Sequence, residues 1–269
     1  MRPATKSRSV PPSDQPAFIS LNAIEINQVS KHFGGLTVLD RVTLPVQNGS
    51  LFGLAGGNGA GKTTLIKTLL DLCRPDSGEI RIRGTGSTAV AARNTIAYLP
   101  ERFLPPGHLS GQEFLSLLLR LHGVKPVLRE MEDQVASLDM NPAALKKPIR
   151  SLSKGMTQKL GLAGCLMSGK TIWLLDEPTS GLDPLARALL KQQLRRSQQQ
   201  GVTLFLNTHL LADVDDLCDA MAILHQGRLL FAGSPTDCRE RFGGDSLETA
   251  YLRAVAPERL TDGRHQDYS

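Results

Sequence analysis

Aromatic side chains make up only 4% of the 269 residues, with one tryptophan, three tyrosines and eight phenylalanines. So sparse a supply argues against a surface that stacks successive nucleobases. Cysteine is also scarce. Cys73, Cys165, Cys218 and Cys238 are scattered with no C-x-x-C pair, so they read as reduced thiols rather than a disulfide frame or zinc site. No apolar run approaches the roughly 18 to 20 residues that span a bilayer, and the first residues lack an apolar signal core. The chain is therefore expected not to cross a membrane by itself. A large excess of one charge is missing as well. The net charge is +5 and the isoelectric point is about 9.1. Basic residues of the N-terminal tail account for part of this, and no nucleic-acid partner is expected.

What the chain does have is ordinary globular composition, 41% hydrophobic and 21% charged. Its length suits one large domain, or a domain with a subdomain. Residues 1–19, and Met1 to Pro16 above all, are rich in Pro, Ser and basic residues and read as a disordered leader. Ala23 to Val29 and Val38 to Val46 read as strands, and the turn Pro75-Asp76-Ser77-Gly78 leads into another at Glu79 to Arg83. Between Arg102 and Arg150 the pattern becomes helical. A capping box, Ser110-Gly111-Gln112-Glu113, opens the run Phe114 to His122, Leu128 to Leu138 follows, and Asn141-Pro142 starts a third helix. An inserted helical subdomain over about 102–158 is expected. Thr171 to Leu175 and Val202 to Leu206 are apolar enough for buried parallel strands, and His225-Gln226-Gly227 reads as a hairpin turn. From Pro235 on short helices and a mobile tail are expected, with residues 241–269 as the C-terminal tail.

Gly56 to Thr64 reads GGNGAGKTT and satisfies the phosphate-loop pattern through Gly56, Gly61, Lys62 and Thr63. Glycines let backbone N–H groups wrap a polyphosphate, because no Cβ stands in the way. Lys62 is placed to reach the β- and γ-phosphates, and the Thr63 hydroxyl to hold Mg²⁺. Leu51 to Ala55 is a short apolar run suited to a buried strand, and Thr64 to Leu72 is helical in character. The loop thus opens a helix whose N-terminus faces anions. Ile172 to Glu177 is an apolar strand ending in two acids. Asp176 suits a metal and Glu177 the polarisation of water. The fold class that follows is α/β: a P-loop NTPase core with a mixed sheet, an antiparallel β subdomain and the helical insertion.

From about Ala23 to Phe231 the chain resembles the ATP-binding cassette of ABC transporters. Leu152-Ser153-Lys154-Gly155-Met156 resembles the signature LSGGQ, Asp176 to Asp183 the acidic strand end with its D-loop, and Asn207-Thr208-His209 the switch-histidine segment. Ile96 to Glu101 resembles the Q-loop, and Phe33 stands where the family has an adenine-stacking aromatic. The resemblance implies ATP and Mg²⁺ as ligands and a head-to-tail dimer with two nucleotides at its interface. Gly56, Asn58, Gly59, Ala60, Gly61, Lys62, Thr63 and Thr64 would hold phosphates, with Glu101, Ser153, Gly155 and Asp183 completing the nucleotide sites. Thr63, Glu101 and Asp176 would serve the metal. Glu177 and His209 would be catalytic, and Ser153 and Gly155, at the start of a helix over Thr157 to Leu166, would serve the opposite γ-phosphate.

Three departures stand out. Gly57 replaces a usual proline, Lys154 and Met156 replace a glycine and the final glutamine of the signature, and Glu101 replaces the Q-loop glutamine. Tyr98 to Glu101 together with the LSKGM stretch resembles the exporter branch whose ATPase and permease are separate chains. The implied role is the ATPase subunit of a membrane exporter, peripheral on the cytoplasmic face of the inner (plasma) membrane. Its expected partners are a transmembrane permease and a second ATPase subunit, with a homodimer expected. The alternative is a soluble ABC ATPase acting mechanically on nucleic acid or ribosomes. That class favours two cassettes or long coiled coils, and this chain has one cassette and no useful heptad run. Phe103 and Leu104, after Glu101, are expected to line a groove that receives a short permease helix.

Overall fold

Alternating burial builds the first sheet of the computed structural model, which describes residues 22–256. The expected leader, and residues 257–269 of the expected tail, lie outside the described residues. In β1 (Asn22–Phe33) Ile24, Ile26 and Val29 are buried, and the strand pairs antiparallel with β2 (Leu36–Gln47). Gly34 and Gly35, both at positive φ, make the tight connection that lets these strands reverse.

The chain then enters the second sheet through β3 (Leu51–Ala55), passes into α1 (Lys62–Leu69), and returns to the first sheet. There β4 (Ser77–Ile82) pairs with β1, and β5 (Thr85–Gly86) completes the order β2-β1-β4-β5. After α2 (Val90–Arg93), β6 (Ile96–Leu99) opens the far edge of the second sheet.

The helical insertion follows. The expected capping box forms, with Ser110 Oγ accepting from the Glu113 N–H and the Glu113 carboxylate accepting from the Ser110 N–H, and it starts α3 (Gly111–Leu121). Next comes α4 (Leu128–Ala136). The expected third helix is two short 3-10 segments, Pro142–Lys146 and Ile149–Ser151, because Pro148 interrupts the run. The signature helix, α5, spans Lys154–Leu166 and so starts three residues before the expected Thr157. Ser153 is the reason: its hydroxyl accepts from the Met156 N–H and caps the first turn.

The remaining strands return to the core. In chain order they are β7 (Ile172–Asp176), β8 (Thr203–Asn207), β9 (Ala220–His225) and β10 (Arg228–Gly233), with α6 (Pro184–Gln199) and α7 (Leu211–Leu217) between them. The sheet order is β10-β9-β3-β8-β7-β6, parallel except for the β10 edge. Every residue of β3, β7 and β8 is buried, as both faces are covered. Phe52 and Leu54 face Phe205, Ile24 and Leu65 between the two sheets, and Phe52 stacks on Phe205 at 5.4 Å. Leu51 and Ala55 face the other way, into a core shared with Leu115, Leu160 and Val135 of the insertion. Burial of each such side chain contributes about 1.5–3 kcal/mol.

The short helices expected from Pro235 on form, and they occupy residues 241–256 of the expected tail. These residues hold the end of α8 (Pro235–Phe242) and all of α9 (Leu247–Val255), and Leu247 and Ala250 lie in the core. The two buried positions are three apart on one short helix, too brief a pattern to announce itself in sequence.

Candidate nucleotide site

The loop between β3 and α1 is shaped by glycine. Gly59 and Gly61 have φ of +76° and +105°, values that side chains rarely adopt. A Cβ at Gly56 would lie 2.4 Å from the Leu224 carbonyl oxygen, and one at Gly61 would lie 2.6 Å from that of Val38. Lys62 folds back across the loop, its Nζ donating to the carbonyls of Gly56 at 2.7 Å and Gly57 at 3.2 Å. Burial lowers the pKa of Lys62, while Glu177, Asp176 and Glu101 pull it back up. The ammonium thus sits over the loop with three carboxylates within electrostatic reach.

The opposite wall comes from the ends of β7 and β8, which pair in register so that Asp176 lies beside Asn207. Asn207 Nδ2 donates to Asp176 at 2.6 Å, and the Glu177 N–H donates to the Asn207 carbonyl at 2.8 Å. Glu177 has a positive φ of 49°, an uncommon backbone state for this residue type. Its carboxylate accepts from Thr208 Oγ1 at 3.2 Å and from the His209 N–H at 2.8 Å, and His209 Nδ1 lies 2.7 Å from the same oxygen. These partners fix both carboxylate oxygens of a side chain that is only 7% exposed as a residue. Burial raises the Asp176 pKa, the Asn207 bond opposes this, and Glu101 and Glu177 push it higher.

Between the walls is a cleft of ≈ 700 Å³. The structure brings Gly56, Asn58, Gly59, Ala60, Gly61, Lys62, Thr63, Thr64, Glu101, Glu177 and His209 together on it. Asp176 lies just behind, coupled to Glu101 and Lys62. Phe33, Ser153, Gly155 and Asp183 are not on its wall. Phe33 is 51% exposed with Lys31 Nζ 5.3 Å from its ring centroid. The signature instead packs on the chain's own D-loop. A Cβ at Gly155 would lie 2.8 Å from the Gly181 carbonyl oxygen, and Gln158 donates to the Pro178 carbonyl at 3.4 Å. Asp183 caps α6 by accepting from the Ala186 N–H at 2.9 Å.

Val38, Thr208 and Tyr251 also reach the cleft. Thr208 and Asn207 were visible as parts of the switch segment, but only strand register shows that they orient the two acids. Tyr251 carried no signal, being far from the loop in sequence.

Among the described residues no group of three or more His, Cys, Asp or Glu could hold a metal ion alone. The donor set nevertheless fits Mg²⁺ bound together with phosphate. It offers the Thr63 hydroxyl and hard carboxylate oxygens, and the mutual repulsion of Asp176, Glu101 and Glu177 is what a divalent cation relieves.

Phe103, expected in an open groove, is instead partly buried. Its ring meets Phe114 edge-on at 5.6 Å and packs where a Cβ at Gly161 would sit. Leu104 is the exposed one, at 87%.

Residues 39–180 match the family model described as ABC transporter. An uncharacterized ABC transporter ATP-binding protein of Synechocystis is 35% identical over 90% of this chain and 70% of its own length. The Nod factor export ATP-binding protein I of Sinorhizobium fredii is 36% identical, covering 84% of this chain and 67% of that protein. A daunorubicin resistance ATP-binding protein of Streptomyces coeruleorubidus is 33% identical, covering 86% and 74%. A solved structure of the ATP-binding subunit of an ABC transporter superposes with a TM-score of 0.79 at 32% identity, covering 86% of this chain and 99% of that one. With its phosphate loop, acidic strand end and switch histidine converging on one cleft, the chain belongs to the ABC transporter ATP-binding family and is an ATPase.

Proposed function

We propose that this chain powers a membrane exporter, working as a head-to-tail pair of cassettes beside a separate permease. The observation that carries the reading is the Glu177–His209 pair held at 2.7 Å across the cleft from the phosphate loop. The export names of the Sinorhizobium and Streptomyces relatives support transport over action on nucleic acid. Among the described residues no helix is long and apolar enough to cross a membrane, and in this reading coupling passes through a permease surface.

In this reading the loop N–H groups and Lys62 bind the ATP phosphates, and the exposed Phe33 ring stacks on adenine. Glu177 accepts the proton of the attacking water, with Thr208 and the His209 N–H keeping its carboxylate aimed. His209 Nδ1 is occupied by Glu177, which leaves Nε2 to reach the γ-phosphate. Thr63, Asp176 and Glu101 would hold Mg²⁺, which draws negative charge from the phosphate oxygens when bound.

The second subunit would supply its Ser153 and Gly155. Ser153 Oγ already accepts from the Met156 N–H, so its hydroxyl proton is free to donate to an incoming phosphate oxygen. The N-terminus of α5 adds its dipole. Asp183 would lie beside the shared nucleotide. The chain then sits at the cytoplasmic face of the membrane through its permease.

The test is purification of the chain from detergent-solubilised membranes. Recovery with a multispanning partner that changes its ATPase rate is expected. An ATPase that never associates with such a partner would overturn the transport reading.

A further inference from the structure

Helix α9 is anchored on α7 and α8, with Leu247 and Ala250 buried in the core. Tyr251 follows Ala250 on the helix and reaches the phosphate loop. Its side chain borders the nucleotide cleft and a second cavity of ≈ 690 Å³ behind Gly57 to Ala60. The phenol oxygen lies 3.7 Å from where a Gly57 Cβ would be, and no other atom outside the neighbouring residues comes within 4 Å of that point. The hydroxyl is thereby placed to accept the Gly57 N–H, and this backbone group opposes the rise in Tyr251 pKa that burial causes.

The rest of Gly57 is already engaged inside the loop. Its carbonyl accepts from the Ala60 N–H at 3.2 Å and from Lys62 Nζ at 3.2 Å. Among the described residues the Gly57 N–H has no hydrogen-bond partner within the loop. Without the hydroxyl it would face the apolar edge of an aromatic ring, and the loop entry would be free to rotate away from its phosphate-binding form.

We propose that Tyr251 is a positioning residue for the phosphate loop, its hydroxyl accepting the Gly57 N–H and setting the loop's affinity for nucleotide phosphates. The last described helix is thereby part of the nucleotide site. The inference rests on the reading of Gly56 to Thr64 as the phosphate cradle. It also makes Gly57 and the Tyr251 hydroxyl a matched pair. A proline at 57 has no N–H to offer the hydroxyl.

The test measures ATP affinity by direct titration of the full chain, and KM and kcat, for Tyr251→Phe, Gly57→Pro and the double variant. Tyr251→Phe is expected to weaken binding about two- to tenfold, the range of one neutral hydrogen bond, and to raise KM with kcat little changed. Gly57→Pro is expected to weaken binding as well, and the double variant to bind no more weakly than Gly57→Pro alone. Effects that simply multiply, or a Tyr251→Phe affinity equal to that of the unaltered chain, overturn the proposal. Because Tyr251→Phe removes only one oxygen, it tests the idea even if Gly57→Pro misfolds. Lys62→Ala run alongside separates the two readings. If it abolishes ATP binding while Tyr251→Phe has no effect, only this inference fails. If it leaves ATP binding unchanged, the assignment of the cradle fails too.

Discussion

One oxygen of the Glu177 carboxylate takes both the His209 backbone N–H, at 2.8 Å, and the His209 Nδ1, at 2.7 Å. The histidine is therefore tied to the acid by main chain and side chain together. Rotating the Glu177 side chain would break two bonds to one residue. Such double tethering is what a base needs if it is to meet water in a fixed direction.

Glu177→Gln keeps the side-chain shape and removes the anionic acceptor. Steady ATP turnover should fall on the order of 10²- to 10⁴-fold, the usual worth of a positioned base. ATP affinity should be nearly unchanged, and a nucleotide-bound dimer should accumulate on gel filtration. Turnover at the ordinary rate would remove Glu177 from the role of base.

Ser153 and Gly155 are off the wall of the chain's own cleft, so their contribution is expected across a dimer interface. ATPase rate per subunit should then rise with protein concentration. Ser153→Arg should lower the maximal rate on the order of 10²-fold, as loss of a transition-state anion contact does. A per-subunit rate that stays flat down to concentrations where sedimentation shows only monomer would sink the shared-site scheme.

The permease surface should be probed at Leu104 rather than Phe103. Leu104 is almost fully exposed, so Leu104→Asp should alter stability by no more than about 0.5 kcal/mol. It should keep ATP binding and lose co-purification with the permease. Phe103→Asp would instead place a charge against Phe114 and α5. The expected cost is about 2 kcal/mol or more. That would appear as a lower melting temperature, by about 4 °C or more. Equal permease association for Leu104→Asp and the unaltered chain would move the docking surface elsewhere.

Thr179, two residues beyond Glu177, donates to the buried Asp213 at 2.9 Å, and Lys191 meets the same aspartate at 2.8 Å. Thr179→Val leaves Asp213 with one partner fewer, and should destabilise the chain by about 1–3 kcal/mol. Since the bond joins the D-loop to α7, hydrolysis should fall more than ATP affinity. A variant with unchanged melting temperature and unchanged kcat would count against this link.

Much of the site was legible because its chemistry is local. Gly56 to Thr64 carries its whole geometry in nine consecutive residues, and β7 ends in acids whose placement follows from strand direction. What stayed hidden depends on contacts between distant segments. The partners of Asp176 and Glu177 come from register with β8, which no single strand encodes. Tyr251 meets Gly57 only because α9 folds back over α7. The start of α5 was misplaced for a different reason: Ser153 is both a signature residue and a helix cap, and the cap sets the boundary. Phe103 does lie in a loop, but its burial was hidden because its packing partner Phe114 lies on a helix eleven residues on.

The contact of the signature helix with the D-loop has a mechanical meaning. Gly155 abuts Gly181, Gln158 holds Pro178, and Lys159 reaches toward both Asp139 and Asp183. The segment that carries Glu177 and the helix proposed to meet the other nucleotide are thus packed as one unit, built to act as one lever. In the proposed pair, a shift of Glu177's strand end after hydrolysis would be felt at the far ATP by displacement of Ser153. Two chemically separate turnovers would then be geared to each other through a close glycine–glycine approach, where added side-chain bulk would disengage the teeth.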